Sequence, residues 1–231
     1  LASGTTVLYG TKDISEKVEI ENKTGDDKEL GAFFYKKNKA VKAEWAGALT
    51  LEGKNYPNIE LALDAINDKT KSTDYTITLN TDISASAFAL PATAKSIKIT
   101  SVSADAAKTI NLTNITTVSA KTPLTLENVK LESTKSYTLS TTSDLTLNKF
   151  ASDSITAVKG GANAVLTLGE TTPVDKVSGF GTTRVTNEFT TGTTFTTTDL
   201  ELTDTAELTV SKTKAPATVK TVNGAEGSVI I

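Results

Sequence analysis

The sequence contains no cysteine, histidine, methionine or glutamine, one arginine, one tryptophan and five prolines in 231 residues. Without cysteine there is no disulfide framework, thiolate metal site or cysteine nucleophile. The lack of histidine removes the commonest general base and the usual zinc ligand. No apolar run approaches the roughly 18 residues that a membrane span requires, and no basic-then-apolar leader opens the chain. Its start at Leu1 suggests a processed or trimmed fragment. Basic surplus is also missing: 24 Lys and Arg stand against 27 Asp and Glu, a net charge of -3 with a pI near 5.2. That balance gives no grip on a polyanion, so nucleic acid is not an expected partner. Hydrophobic residues make up only 38%, too few for a thick core but enough for a narrow one shared along a stack.

What the chain has is threonine, 43 of them, a residue suited to strands and to exposed sheet faces. Residues 1–52 form a mixed, charged stretch with short strand-like pieces ("VLYG", "KVEIEN", "GAFFYKK", "GALTLEG"), read as a small strand-rich lead-in. The segment "NYPNIELALDAINDKTK" places Ala62, Leu63 and Ile66 on one helical face, with Asn58 after Pro57 as a candidate cap. It predicts one short amphipathic helix near 58–68. From Tyr75 onward, strand-like segments with period-two alternation follow one another to the end of the chain: "YTITL", "SIKIT", "PLTLENVKL", "DLTLNKF", "AVLTLGE", "DLELT", "ELTVS".

Those segments repeat. Leu124, Leu145 and Leu166 are spaced by 21 residues within a recurring Leu-Thr-Leu; two further periods reach Leu208. At the intervening position 187 stands Asn187, with Val185 and Phe189 as stand-ins. Ile77 and Ile97 are 20 apart, the step from Ile97 to Leu124 carries about six extra residues, and Val118 and Leu139 repeat the 21-residue spacing. A constant period means that each repeat makes one turn of a coil and that equivalent residues stack. Glu127, Asn148 and Gly169 follow the second Leu, and Asn128 comes next; Asn and Gly suit a sharp bend between two flat faces. The expected fold is all-β: a right-handed parallel β-solenoid of about seven turns. It occupies 53–231, with the helix covering its first turn and residues 1–52 leading in. Open strand edges at the first and last turns invite association; the solenoid is nevertheless expected to be monomeric.

"NYPNIELALDAIN", then "YTITLNTDIS", then coils such as "PLTLENVKL", resemble the start of right-handed parallel β-helix proteins with the pectin-lyase-like fold. More narrowly they are similar to threonine-rich, adhesin-like bacterial surface proteins. The resemblance covers 55–231 and rests on pattern. It implies either a non-catalytic stalk or adhesin, secreted or on the cell surface, that presents loops to a glycan or surface protein, or a polysaccharide lyase or hydrolase.

The chemistry-bearing residues favour the first. No two solenoid carboxylates are expected to share both a 21-residue phase and a track, and Asp144, Asp153 and Lys149 are the nearest approach to a cluster. The oxygens of 26–29 and 67–74 lack an ordered calcium-loop signature, and "GGAN" at 160–163 lacks the helix and Lys of a phosphate loop. No catalytic residue, metal or cofactor is expected. Trp45 with Phe33, Phe34 and Tyr35 reads as the core of the lead-in. Thr78, Thr125, Thr146, Thr167 and Thr209 form an outward hydroxyl column. Two stretches break the register, 100–114 and 186–199. A partner would bind where turns vary, so Phe189, Phe195 and Arg184 are the candidate binding residues. That reading requires at least one of the two rings to be exposed beside a groove.

Overall fold

A computed structural model describes residues 47–67, 73–171, 174–203, 205–211 and 217–231, and the backbone of four strands nearer the N-terminus. Those four make two antiparallel pairs, Leu8–Tyr9 with Lys12–Asp13 and Ala32–Lys36 with Lys39–Ala43. The rest is a parallel β-solenoid of about seven turns, preceded by one short helix.

Each turn runs along three faces. The first face is laid down by Asp74–Leu79, Ser96–Ser101, the start of Leu124–Ser133, the start of Leu145–Ala151 and Val165–Leu168, then by the ends of Lys176–Val185, Thr194–Leu202 and Thr218–Gly224. Two inward columns climb it. One contains Tyr75, Ile97, Leu124, Leu145, Leu166, Thr183, Leu200 and Val222; the other contains Ile77, Ile99, Leu126, Leu147, Leu168, Val185, Leu202 and Gly224. From Tyr75 through Leu200 every member of the first column is buried. The stacking of Leu124, Leu145 and Leu166 that their spacing predicts is therefore observed, with parallel pairing throughout.

Beyond Leu166 the period changes. The next partners are Thr183 and Leu200, so two turns shrink from 21 residues to 17. Val185 does stand in the core, opposite Leu168, but Leu208 does not share the column of Leu166. It pairs with Phe189 and Ile230 in a separate three-stranded sheet, Glu188–Thr190, Glu207–Thr209 and Val229–Ile230, which forms the second face of the last turns. The hydroxyl column shortens for the same reason. Thr125, Thr146 and Thr167 stack, whereas Thr78 lines up with Thr100 and Glu127, and Thr209 with Thr190. The third face carries Val118, Leu139, Val158, Val177 and Phe195 in one buried column.

Bends between the first and second faces occur where expected, one residue later than the spacing indicates. Asn128 and Lys149 are the left-handed residues, with φ of 52° and 47°. Gly169 serves a different need: a Cβ there would lie 2.5 Å from Asn148 Oδ1 on the turn below. The longest turn, between Ile97 and Leu124, places its additional residues in a corner loop, 102–107. Ser101 Oγ donates to Asn128 O (2.6 Å) and accepts from Lys108 N (2.7 Å), closing the loop at its base. The rest of that stretch, Lys108–Leu112, is an ordinary rung between Ile83–Ala85 and Leu124–Ser133.

The helix, Ile59–Asn67, covers the first turn and buries Ile59, Ala62, Leu63 and Ile66 in the solenoid core. Asn58 Oδ1 accepts from Leu61 N at 2.9 Å, which is the N-cap bond. Glu60 ties the helix to the strand below by accepting from Ser86 N (2.7 Å), Ser86 Oγ (3.1 Å) and Ala87 N (3.2 Å). Burial pushes its carboxyl up, but these bonds and one from its own amide outweigh that and hold it below the usual range. Leu49–Leu51, assigned to the lead-in by its texture, pairs antiparallel with Asp74–Leu79 and so belongs to the solenoid sheet. It turns at Glu52 and Gly53, both at positive φ as a two-residue hairpin turn requires, into Lys54–Tyr56.

Candidate functional site

Of the residues singled out from sequence, the two phenylalanines are buried and Arg184 is on the outer surface. Phe189 and Phe195 are 3% and 1% exposed, their ring centroids 6.2 Å apart in the core. The expected exposed ring is absent because the shortened turns bring 186–199 into two ordinary rungs, Glu188–Thr190 and Thr194–Leu202, with the rings at inward positions. Arg184 lies on the outer side of the first face, stacked between Thr167 and Glu201. Its Nη2 and Nε both reach Glu201 Oε2, at 2.7 and 2.8 Å, so its charge is already matched. Trp45 and residues 26–29 and 68–72 lie outside the described residues. Asp74, at the edge of the same stretch, is engaged by Ser96 Oγ and Lys95 Nζ, which hold its carboxyl below the usual range.

A different constellation stands at the outer end of the second face. Asn111 pairs with Glu132 in the ladder, and Asp153 follows one 21-residue period later. Two solenoid carboxylates therefore do share a phase and a track, contrary to expectation. The 21-residue spacing of 132 and 153 was the available signal, hidden because both lie past the Asn128 bend, where the inward and outward positions change phase. Lys130 Nζ contacts both, Glu132 Oε1 and Asp153 Oδ2, the latter at 3.2 Å. Those two contacts, Glu132 first, raise the lysine pKa above its ordinary value. Asp144, by contrast, accepts from Val165 N at 2.9 Å, so Asp144 and Asp153 serve separate partners.

Around this ion triad lies an open groove of about 380 Å³, lined by Asn111, Asn114, Glu132, Ser133, Thr134 and Asp153 among others. The turns beneath it are laced together. Ser133 N donates to Ser154 Oγ (2.9 Å), and Ser133 Oγ donates to Leu112 O (3.1 Å). Three successive rungs are thus cross-linked beneath the groove. The groove offers amides, hydroxyls and carboxylates, with one net negative charge once Lys130 is counted against Glu132 and Asp153. Such groups can donate to and accept from hydroxyls. The Glu132 and Asp153 side chains are 36% and 79% exposed, and both reach Lys130. Among the described residues no group of three or more His, Cys, Asp or Glu is arranged to hold a metal ion. No described helix is long and apolar enough to cross a membrane.

A second shallow groove, about 400 Å³, lies on the third face near the C-terminal end, lined by Phe180, Thr196–Thr198 and Thr218–Lys220. It has no ion pair and only the edge of a buried ring. These features define a parallel β-solenoid with two open surface grooves. No family model, curated protein or solved structure matches the chain.

Proposed function

We propose that the chain is a non-catalytic module of a secreted or wall-attached bacterial surface protein, a stalk or adhesin that presents its corner groove and loops to a glycan or surface protein. The observation that carries this reading is the groove of Asn111, Glu132 and Asp153, an open cleft bearing amide and carboxylate groups on an otherwise repetitive surface, where a repeat protein is able to acquire specificity. The stack supports the stalk role: seven turns at about 4.8 Å per turn give a rod of roughly 34 Å. The resemblance to adhesin-like, pectin-lyase-like proteins and the threonine-rich composition agree with it.

The test is an array of neutral, amino and uronic oligosaccharides and matrix proteins. Neutral saccharides should bind, uronates should not, and Asp153→Asn together with Asn111→Ala should weaken binding about tenfold or more, the loss expected from deleting hydrogen bonds worth about 1–2 kcal/mol. Absence of binding to every member would overturn it.

The alternative is a polysaccharide hydrolase or lyase, favoured by one observation: two carboxylates flank Lys130 on one track, as paired carboxylates flank a scissile glycosidic bond. Incubation with pectic, uronic and host glycans, with and without calcium, decides between them. Sugar released by the wild type and not by Glu132→Gln would replace the binding reading with the catalytic one.

A further inference from the structure

Residues 111–116 read Asn-Leu-Thr-Asn-Ile-Thr, two consecutive copies of Asn-x-Thr with no proline at the middle position. This tripeptide is the acceptor signature for an N-linked oligosaccharide, in which the hydroxyl two residues on is read together with the amide. The fold treats the two copies differently. Asn111 lies within the strand Lys108–Leu112, paired with Ser84 on one side and Glu132 on the other, and Leu112 beside it is 2% exposed. The backbone of that copy is held in the ladder and cannot be drawn into the cleft of an enzyme. Asn114-Ile115-Thr116 instead spans the bend between the second and third faces, after Lys108–Leu112 ends and before Thr117–Ala120 begins. Asn114 and Thr116 are exposed there, and Ile115 is only partly buried. A third copy, Asn22-Lys23-Thr24, lies outside the described residues.

The fold makes no use of the Asn114 amide. Asn58 Oδ1 caps the helix, Asn80 Nδ2 donates to Gly47 O and Asn128 Nδ2 donates to Ser103 O. The Asn114 side chain makes no hydrogen bond among the described residues. Its φ of 60° does not account for the residue either, since Lys149 and Thr205 hold the same left-handed region at 47° and 57°. Asn114 lines the open groove of Asn111, Glu132 and Asp153, so a sugar on its Nδ2 has space to enter. We infer that Asn114 is a modification site, the acceptor of an N-linked oligosaccharide supplied by a lipid-linked diphosphate donor. In the transfer Nδ2 attacks the anomeric carbon of the first sugar. The C–N bond forms as the bond from that carbon to the phosphate oxygen breaks, the lipid diphosphate departs, and one amide proton passes to a base of the transferase. The inference rests on the export reading above only for the encounter with such an enzyme; it needs no ligand in the groove.

The test combines the folded chain, a lipid-linked oligosaccharide and a purified oligosaccharyltransferase that recognises Asn-x-Thr, with a synthetic peptide of residues 108–119 as the positive control for the enzyme. Enzymatic release of the glycan in heavy-oxygen water leaves a labelled Asp at each modified Asn, and peptide mapping then reads positions 22, 111 and 114 separately. Label should appear at Asn114 and not at Asn111. Asn114→Gln and Thr116→Ala should each abolish it with the circular dichroism spectrum unchanged, whereas Thr116→Ser and Asn111→Gln should retain it. Saccharide binding by the unmodified chain is a separate measurement, so an array without binders counts against the binding reading and leaves this result standing. No label at Asn114 while the peptide is modified, label that persists undiminished in Thr116→Ala, or a preference for Asn111 would overturn the inference.

Discussion

Thr183 occupies a place in the core where its column otherwise carries Leu166 below and Leu200 above. It is 0% exposed, and its Oγ1 has no hydrogen-bond partner. A buried hydroxyl left unpaired costs about 1–3 kcal/mol relative to a satisfied one. Replacing it with the nearly isosteric Val should therefore stabilise the chain by about 1 kcal/mol. Urea unfolding should show a higher midpoint at unchanged slope; a lower midpoint would show that the hydroxyl is satisfied. Tyr137 is the contrasting case. Its hydroxyl is buried but donates to Ser152 Oγ at 2.9 Å. Burial pushes the phenol well above its usual value, and the bond to Ser152 only partly opposes this. Because the folded-state pKa is the higher one, the protonated ring contributes stability below the unfolded value near 10, and that contribution is lost as pH rises above it. Stability should fall by up to about 1.4 kcal/mol per pH unit in that alkaline window, and Tyr137→Phe should flatten the decline. Equal slopes in both proteins would contradict the assignment.

The helix Ile59–Asn67 has nine residues, too few to persist alone, so it depends on its cap and on the turn it covers. Asn58 satisfies one free amide at its start, and Glu60 accepts from the first turn's backbone at Ser86 and Ala87. Asn58→Ala should cost about 1 kcal/mol. The loss should appear as faster hydrogen exchange in 59–67 before any change in the central rungs. If the central rungs exchange faster first, the helix is not an independent element.

In the whole molecule each turn touches only its neighbours, so the cost of a substitution depends on its height in the stack. Leu145 lies between Leu124 and Leu166 and is 0% exposed, whereas Val222 in the same column is 51% exposed. Leu145→Ala should cost about 2–5 kcal/mol, and Val222→Ala less than about 1 kcal/mol. Comparable losses at both positions, by chemical denaturation, would contradict this dependence on burial. The outer surface gives little net stability by comparison. Lys98–Glu127 and Arg184–Glu201 are partly exposed pairs of the kind worth about 0–1 kcal/mol.

The alternation of Thr with Leu, Ile and Val, the helix with its cap, and the 21-residue period through Leu124, Leu145 and Leu166 were all legible in the sequence by itself. Each is a local property or a repetition of local properties. Where the turns shortened to 17 residues, reading by period assigned Leu208 to the wrong face and left Phe189 and Phe195 as binding candidates, at least one of them exposed, although both are core. The period could not reveal the change because the column passes through a polar residue, Thr183, exactly where a Leu would have marked it. The groove was missed for a related reason: Glu132 and Asp153 repeat at 21 residues, but only the bend at Asn128 and Lys149 determines that they point outward together with Lys130 between them. Side-chain pattern tells which residues of a strand share a side. Which strands lie next to one another is decided by backbone ladders that any sequence can form, and only the assembled coil selects among them.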